Sequence, residues 1–224
     1  MYKTLPLVYS LSGLAGAGKT RLIKALAAIG AQTIDLEALA EHRGSVFGPV
    51  SSLLVTRESF HNALQKTWNE TKQSAPVFLE REGPFIGSLD IPKPIYNQLV
   101  AAPAIELKAD RYRRIQNILF DYRDLTGDRA RYGIRQLKPI LGEDLCRYCL
   151  ELQERCWLPQ LVDILLDYYD NSNLYSQPKY IACTIETSKG NPDEWVGKMP
   201  VDSLGRQDAK SVRVGEKITT SNSS

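Results

Sequence analysis

One stretch near the start of the chain, residues 7–20, constrains the fold more than any other. It reads LVYSLSGLAGAGKT, a short apolar run followed by the pattern G-x-x-x-x-G-K-[ST] over residues 13–20. Glycines in this pattern let the backbone curl so that several N–H groups point at one phosphate, at the positive end of the next helix. Residues 21–29 carry apolar side chains at helical spacing, so a strand precedes the motif and a helix follows it. The stretch therefore predicts a phosphate-binding loop, here called the P-loop, rather than an ordinary glycine-rich turn.

The side chains at the end of the P-loop have distinct predicted roles. Lys19 would reach the outer phosphates as a point charge, which also makes it a candidate catalytic residue, and the Thr20 hydroxyl would hold Mg²⁺. The predicted phosphate-binding residues are Gly13, Gly16, Ala17, Gly18, Lys19 and Thr20.

Composition places this loop in an ordinary globular chain. The 224 residues are 43% hydrophobic, which is enough for one sizeable core, and the net charge of +2 excludes a global basic field. Any nucleic-acid surface is therefore expected to be local, and neither DNA nor a membrane is expected as a partner. The four cysteines give no disulfide framework in a chain of this size, and no apolar run approaches the roughly 18 residues needed to cross a bilayer. These features predict a soluble cytoplasmic α/β protein.

A polar cluster follows the second predicted strand, residues 31–36. In open α/β sheets ligands bind beyond the carboxyl ends of the strands, so this cluster would meet a second substrate opposite the P-loop. Asp35, His42 and Arg43 are therefore candidate catalytic residues, and Glu37 is a candidate substrate-binding residue. A purely structural alternative is that Asp35 caps the next helix and the rest forms a solvated turn. Asp35 can both cap the helix and act on a substrate, whereas His42 and Arg43 have no obvious structural task.

Carboxylates also follow the third predicted strand, residues 77–79. Glu80 and Glu82 come directly after this apolar run, where a P-loop protein needs an acid opposite the phosphates to hold Mg²⁺ or its water. The two residues are candidate metal ligands together with Thr20. The alternative is a surface Glu/Arg/Glu triplet that pairs with itself and contributes little to stability.

The segment 108–138 is rich in arginine. It holds nine basic and four acidic residues, with three tyrosines between them. By analogy with small phosphoryl-binding P-loop proteins, it would form a helical lid whose arginines reach the phosphates, and Arg111 and Arg114 are the candidate substrate-binding residues. Interleaved Arg and Tyr also suit an RNA backbone with stacked, unpaired bases. The plainer alternative is a helical pair with a charged outer face.

The last third of the chain is predicted to be mostly helical and then disordered. Residues 142–170 form a long helical pattern that Pro159 kinks or divides, and residues 180–186 read as a strand. Cys146, Cys149 and Cys156 fall on roughly one helical face and are interpreted as core residues, because a zinc site would need a fourth ligand.

These elements predict a three-layer P-loop NTPase fold of the α/β class, with a mainly parallel sheet and the phosphate site at its carboxyl edge. The P-loop domain would cover residues 1–186, and the tail over 187–224 is predicted to be disordered apart from a possible strand at 211–214. A kinase-like strand order, with the Glu80 strand beside the first strand, is expected by analogy.

Several stretches carry a resemblance to a known family. They are SLSGLAGAGKTRLIKAL, GAQTIDLEALAEHRGSVFG, FLEREGPFIG with IPKPIYNQL after it, and LVDILLDYYD, in that order over residues 7–170. The P-loop motif is generic, but DLEALAEHRGSVFG is close to a signature. On these motifs the chain resembles the P-loop domain of the tRNA 2-selenouridine synthase family.

The resemblance implies a two-domain transferase. A rhodanese-like domain would supply a catalytic cysteine, and the P-loop domain would engage tRNA and a phosphorylated co-substrate. The implied activity is geranylation of the wobble 2-thiouridine sulfur from geranyl diphosphate, followed by replacement with selenium from selenophosphate. Carried over by motif, the P-loop glycines, Lys19 and Thr20 would bind phosphate. The polar residues after the second strand would line the second-substrate side, and Glu80 with Glu82 the metal side.

Only six residues precede the first strand, so no rhodanese-like domain is expected in this chain. Either a separate rhodanese-like protein supplies the cysteine, or the chain is a truncated or repurposed copy that is incomplete alone. Two other functions stay open: a stand-alone small-molecule or nucleotide kinase, and a non-catalytic nucleotide- or RNA-binding module. The expected ligands are Mg²⁺ and a phosphorylated molecule, which is geranyl diphosphate, selenophosphate, ATP or GTP.

Overall fold

The P-loop strand lies in a five-stranded parallel sheet. The computed structural model describes residues 7–42, 55–122, 125–171 and 177–200. The strands of the sheet are β1 (Val8–Ser12), β2 (Gln32–Ile34), β3 (Val77–Glu80), β6 (Ala104–Lys108) and β7 (Ile181–Glu186). Their order is β2-β3-β1-β6-β7, so β3 lies beside β1 as the kinase-like order predicted. Two short strands, β4 (Phe85–Ile86) and β5 (Leu89–Asp90), form a separate antiparallel hairpin that the sequence did not predict.

Helices cover both faces of the sheet. The first group along the chain is α1 (Lys19–Ala28), α2 (Leu36–Leu39), α3 (Arg57–Glu70) and α4 (Lys93–Ala101). The second group is α5 (Arg111–Asp121), α6 (Asp128–Gln136), α7 (Lys138–Leu141), α8 (Glu143–Glu154), α9 (Leu158–Asn171) and α10 (Pro192–Gly197). None of the helices in the described ranges is long and apolar enough to cross a membrane.

Strand β3, which lies between β2 and β1, shows why the fold has three layers. Its residues are all buried, as expected for a parallel strand that is covered on both faces. Val77 and Leu79 join the core beneath α3 and α4, whereas Phe78 joins the core beneath α1 and α10. Successive side chains of β3 thus point to opposite faces of the sheet and join two separate cores. This arrangement confirms the predicted three-layer P-loop α/β fold.

The predicted long helical region is two helices. Pro159 is the second residue of α9, and the chain turns between α8 and α9, where the Trp157 N–H donates to the Leu152 carbonyl at 2.9 Å. Cys146 and Cys149 are buried between the helices as expected. Cys156 departs from the prediction, because it follows the end of α8 in a left-handed conformation (φ 55°) and is exposed.

The chain after β7 differs from the expected disordered tail. Residues 187–200 belong to the fold, because α10 packs against α1 with Trp195, Val196 and Met199 buried in the same core as Phe78. Asn191 caps this helix by accepting a hydrogen bond from the Glu194 N–H at 3.0 Å. The apolar residues are few, but Trp195 and Val196 of α10 and Met199 just after its end all join this core. The possible strand at 211–214 lies outside the described residues.

Candidate functional site

The P-loop is closely fitted to its surroundings. Gly18 is the N-cap of α1 with φ 102°, and a Cβ at this position would lie 2.9 Å from the Trp195 ring. Gly16 has φ 78°, and its Cβ would lie 2.7 Å from the carbonyl oxygen of Arg114. Both positions therefore need glycine, for the left-handed backbone and for the close approach of other elements.

Lys19 lies across the loop that it terminates. It is the first residue of α1, and its ammonium donates to the Gly13 carbonyl at 2.9 Å and to the Leu14 carbonyl at 3.5 Å. This position keeps the positive charge of Lys19 beside the backbone that is predicted to surround a phosphate. The predicted contact of Lys19 with a phosphate stays a prediction.

The outer side of the P-loop is held by three side chains from distant parts of the sequence. Arg114 Nε donates to the Ala15 carbonyl at 2.7 Å, and Asn117 Nδ2 donates to the Gly16 carbonyl at 2.8 Å, both from α5. Thr187 Oγ1, directly after β7, donates to the Ala17 carbonyl at 2.7 Å. In a trans peptide the carbonyl and the next N–H point in opposite directions, so the N–H groups of Gly16 and Gly18 face away from these side chains.

Four carboxylates meet at the ends of β2 and β3; we call Asp35, Glu37, Glu80 and Glu82 the carboxylate cluster. The pairing of β1 with β3 sets Leu11 opposite Glu80 and so places this carboxylate beside the P-loop. Glu80 is 3% exposed and is hydrogen-bonded to the Thr20 hydroxyl, but its Oε1 atom has no hydrogen-bond partner among the described residues. A buried carboxylate oxygen without a partner is unfavourable unless a proton or a cation accompanies it.

Crowding of the carboxylates shifts their protonation. Burial, together with the negative charges of Glu80 and Glu82, raises the pKa of Glu37 to about 9. Burial and the charge of Glu80 raise the pKa of Glu82 to about 7. Burial also raises the pKa of Glu80 itself, against the opposing charge of Lys19. At neutral pH the cluster therefore retains protons that isolated carboxylates would have lost.

The cluster fits Mg²⁺ only as part of a shared site. Across the described parts of the chain, no group of three or more His, Cys, Asp or Glu side chains is arranged to hold a metal ion alone. Mg²⁺ is usually bound by one or two carboxylates together with phosphate oxygens and water. The Thr20 hydroxyl and the unpartnered Oε1 of Glu80 provide such a partial set, beside the loop that would supply the phosphate.

The residues that follow β2 are placed less uniformly. Asp35 caps α2 by accepting a hydrogen bond from the Ala38 N–H at 2.9 Å, so it has the structural task that the alternative interpretation gave it. The His42 ring packs against the β4–β5 turn, where a Cβ on Gly87 would lie 3.0 Å from it, and burial lowers the pKa of His42. Arg43 lies outside the described residues.

The two candidate substrate arginines are bound to α9. Arg111 pairs with Asp163 at 2.6 Å and with Asp167 at 2.7 Å. Arg114 forms a bidentate pair with Asp170, at 2.6 and 2.8 Å, while its Nε holds the P-loop. A lid that delivers these arginines to a substrate would have to break these pairs, so their role in substrate binding stays a prediction.

Four residues around the P-loop were missed by the sequence reasoning: Asn117, Asp170, Thr187 and Trp195. Asn117 lies three residues after Arg114 and so shares its helix face, which was an available signal. Thr187 follows a strand at the carboxyl edge of the sheet, where ligands and loops meet, but it had been assigned to the disordered tail. Asp170 ends the stretch LVDILLDYYD that carries the resemblance, but the stretch gives it no role, and nothing in the local sequence indicates Trp195.

Comparisons with known proteins show the family to which this chain is similar. The sequence profile described as "tRNA 2-selenouridine synthase AAA domain" matches residues 7–155. A tRNA 2-selenouridine synthase from Cupriavidus pinatubonensis is 35% identical over 134 residues, which is 59% of this chain and 35% of the relative. One from Shewanella denitrificans is 36% identical over 116 residues, or 51% of this chain and 30% of the relative. The chain thus spans about a third of the length of these relatives. A gluconokinase structure from Sinorhizobium meliloti 1021 is similar at a TM-score of 0.38 and 10% identity, over 96% of this chain and 98% of the other.

Proposed function

This chain belongs to the family of the tRNA 2-selenouridine synthase AAA domain, and from that premise we propose that its P-loop binds a phosphorylated donor for the modification of wobble 2-thiouridine in tRNA. The observation that carries the proposal is the junction of Lys19, Thr20 and the buried Glu80 at the ends of two neighbouring strands. This junction provides a cation, a hydroxyl and an unpartnered carboxylate oxygen beside a loop of backbone N–H groups.

The donor is recognised through its phosphate. Geranyl diphosphate and selenophosphate both carry phosphate oxygens, which the N–H groups of Gly16 and Gly18 and the ammonium of Lys19 would hold. Mg²⁺, when bound by Thr20, Glu80 and the phosphate, supplies the charge that stabilises a departing phosphate. Without a bound ligand, the Lys19 ammonium stays near this position through its hydrogen bond to Gly13.

The acceptor would lie on the side of the carboxylate cluster. Before Mg²⁺ binds, the pKa of Glu37 is about 9, so Glu37 is protonated at neutral pH and can donate a hydrogen bond to a polar atom of the acceptor. In the same metal-free site the pKa of Glu82 is about 7, so Glu82 can exchange a proton near neutral pH. Asp35, His42 and Arg43 complete this side as proposed catalytic residues.

The proposal includes two macromolecular partners in the cytoplasm. One is tRNA, which would contact the arginine-rich helices through its phosphates. The other is a rhodanese-like protein or segment that supplies the nucleophilic cysteine, as the family resemblance implies. Cys149 is no substitute for it, because it is buried and burial raises the pKa of its thiol to about 11.

A second candidate is a small-molecule kinase. The strand order β2-β3-β1-β6-β7 is consistent with it, because this order is kinase-like at the level of the fold. Phosphoryl transfer from ATP-Mg²⁺ to a small acceptor by the purified chain would support the kinase and contradict the donor-site proposal. The remaining alternative, a non-catalytic module, uses the P-loop for binding only.

The proposal is tested by binding measurements on the purified full chain. Isothermal titration with geranyl diphosphate and Mg²⁺ is expected to show binding that Lys19→Ala weakens about 100-fold, because hydrogen bonds to charged groups contribute about 1.5–3 kcal/mol. Lys66→Ala, an exposed lysine on α3, is the matched control and is expected to leave the affinity unchanged.

The tRNA part is tested by filter binding to tRNA that carries wobble 2-thiouridine, at several salt concentrations. Binding is expected to weaken steeply as salt rises, since phosphate contacts release counterions. Absence of tRNA binding even at low salt would contradict the proposal. Tight tRNA binding that neither geranyl diphosphate nor Lys19→Ala affects would instead favour the non-catalytic module.

A further inference from the structure

We propose that Arg114, Asn117 and Thr187, here called the outer bracket, fix the P-loop in its phosphate-binding shape, and that Asp170 positions Arg114 for this task. The inference rests on the proposed function, because it takes phosphate as the ligand of the loop. It concerns residues that make no contact with the phosphate side, so all four are positioning residues.

The bracket holds three consecutive carbonyl groups. Arg114, Asn117 and Thr187 bond the carbonyls of residues 15, 16 and 17 at 2.7, 2.8 and 2.7 Å. The three side chains are almost fully buried, with exposures of 4%, 2% and 0%. A single hydrogen bond to a loop carbonyl would be unremarkable as packing, but a separate buried donor for each of three successive peptides restrains the whole turn.

A restraint of this kind has a clear physical purpose in this loop. Gly16 and Gly18 both tolerate positive and negative φ, so the peptides beside them can rotate at low cost. Rotation of such a peptide would turn its carbonyl oxygen toward the phosphate and its N–H away, replacing an attraction for an anion with a repulsion. The bracket opposes this rotation, because rotation would leave a buried donor and a buried carbonyl without partners.

Asp170 extends the bracket to α9. It forms the bidentate pair with the Arg114 guanidinium, which leaves Nε free to donate to the P-loop. Arg111 connects the same two helices through Asp163 and Asp167 and lies 3.5 Å from Asp170, yet within the described part of the chain it makes no hydrogen bond to the P-loop. Arg111 therefore only links α5 to α9, whereas Arg114 links the same helices and also contacts the P-loop.

Thr187 extends the bracket to the sheet. Its hydroxyl contacts the Ala17 carbonyl and, at 3.0 Å, the Lys108 carbonyl at the end of β6, and its N–H donates to the same Lys108 carbonyl at 2.7 Å. The loop is thus anchored to the edge of β7 as well as to α5. Valine has the shape of threonine without the donor, and serine keeps the donor, so this position offers a matched pair of variants.

The experiment measures two quantities on the full chain. Titration calorimetry with inorganic pyrophosphate and Mg²⁺ gives affinity, and hydrogen–deuterium exchange of the P-loop amides in the free protein gives loop order. Thr187→Val is expected to weaken pyrophosphate binding about tenfold and to speed exchange of the Ala17 amide, which bonds the Leu14 carbonyl at 3.1 Å. Thr187→Ser is expected to restore both to within about twofold of the original chain.

A second pair of variants tests the role of Asp170. Asp170→Asn is expected to weaken pyrophosphate binding about fivefold to tenfold, because the neutral amide no longer holds Arg114 in its bidentate pair. Asp163→Asn removes a more exposed pair between the same two helices, while Arg111 keeps Asp167, and is expected to leave the affinity within about twofold. A merely structural role of Asp170 would lower the free energy of unfolding of Asp170→Asn without changing its affinity for pyrophosphate.

The outcomes separate this inference from the proposed function. If the original chain binds pyrophosphate and Thr187→Val binds it equally well, with or without faster exchange, the bracket proposal is overturned. If the original chain binds no pyrophosphate while Thr187→Val still speeds exchange of the loop, the phosphate-binding function fails and the bracket stands as a restraint on the loop alone. Unchanged exchange together with absent binding overturns both.

Discussion

Two regions meet at the carboxyl edge of the sheet, and they are built in opposite ways. The P-loop after β1 has its outer carbonyls paired with buried donors from α5 and from the end of β7. The carboxylate cluster after β2 and β3 brings like charges together, and Oε1 of Glu80 has no hydrogen-bond partner among the described residues. The outer carbonyls of the P-loop have hydrogen-bond partners before any ligand binds, whereas the carboxylate cluster is stabilised by protons or a cation.

This difference divides the work of binding between the two regions. A satisfied loop loses little conformational freedom when a phosphate binds, so it contributes affinity through preorganisation. The protonation of crowded carboxylates depends on pH and on bound Mg²⁺. The affinity of the site for a phosphate should therefore depend on the pH and on the Mg²⁺ concentration. Substitutions on the P-loop side should therefore change stability and affinity, whereas those in the cluster should change the dependence on pH and metal.

The largest expected effect is on the P-loop side and comes from Trp195. Its ring is fully buried and lies against Gly18, so Trp195→Ala would leave a large cavity beside the loop. Urea denaturation is expected to show a loss of about 3–5 kcal/mol, the usual cost of truncating a buried tryptophan. Trp157→Ala is the control, because this ring is 50% exposed, and it is expected to cost about 1 kcal/mol or less. Equal losses for the two variants would contradict the placement of α10 against the loop.

Trp195 also shows where sequence reasoning reached its limit. The P-loop, the buried strands and the neighbouring position of β1 and β3 could be predicted, because each depends on a local motif, on an apolar run or on a fold-level analogy. The segment around Trp195 was expected to be disordered, because its composition is polar and glycine-rich. The segment is nevertheless part of the fold, because two apolar residues of α10 and Met199 just after it are buried in the core beside α1.

The candidate site divides in the same way. Lys19, Thr20 and Glu80 could be identified, because a motif and a strand end fix their positions in advance. Asn117 and Thr187 could not, because their partners are backbone carbonyls 101 and 170 residues away in the sequence. Contacts of that kind depend on the packing of α5 and β7 around the loop, and no local pattern encodes them. Arg114 was identified for a different role than the contact that the structure shows.

The second largest effect is expected in the carboxylate cluster, on replacement of Glu80. Glu80→Gln removes a buried acidic group whose Oε1 is unpartnered, so in Mg²⁺-free buffer the free energy of unfolding is expected to rise by about 1–2 kcal/mol. In the same variant, Mg²⁺ should no longer increase the affinity for pyrophosphate, because the proposed metal ligand is lost. Denaturation without metal and calorimetry with and without Mg²⁺ measure the two effects.

Glu106→Gln is the matched control for this prediction. Glu106 is the middle residue of β6, which is separated from β3 by β1, and its carboxylate is paired with Lys108 at 3.2 Å and accepts a hydrogen bond from Thr184 at 3.3 Å. Its replacement is expected to lower stability by up to about 1 kcal/mol and to leave the Mg²⁺ effect intact. A loss of stability in both variants would mean that the Glu80 carboxylate is as well satisfied as that of Glu106, and the contrast between the two regions would fail.

The smallest expected effect is a pH dependence that belongs to the carboxylate cluster alone. The pKa of Glu37 is raised to about 9 in the folded chain, so between its unfolded value near 4.5 and about 9 the folded state binds more protons than the unfolded state. Stability must therefore fall as the pH rises through this window. After allowance for solvent screening at a half-buried group, we expect a loss of about 1 kcal/mol between pH 6 and pH 9 in Mg²⁺-free buffer. Glu37→Gln should flatten this dependence, whereas Glu70→Gln, an exposed carboxylate on α3, should not. Denaturation curves across this range measure the slope, and a slope that is the same in all three proteins would place its origin outside the cluster.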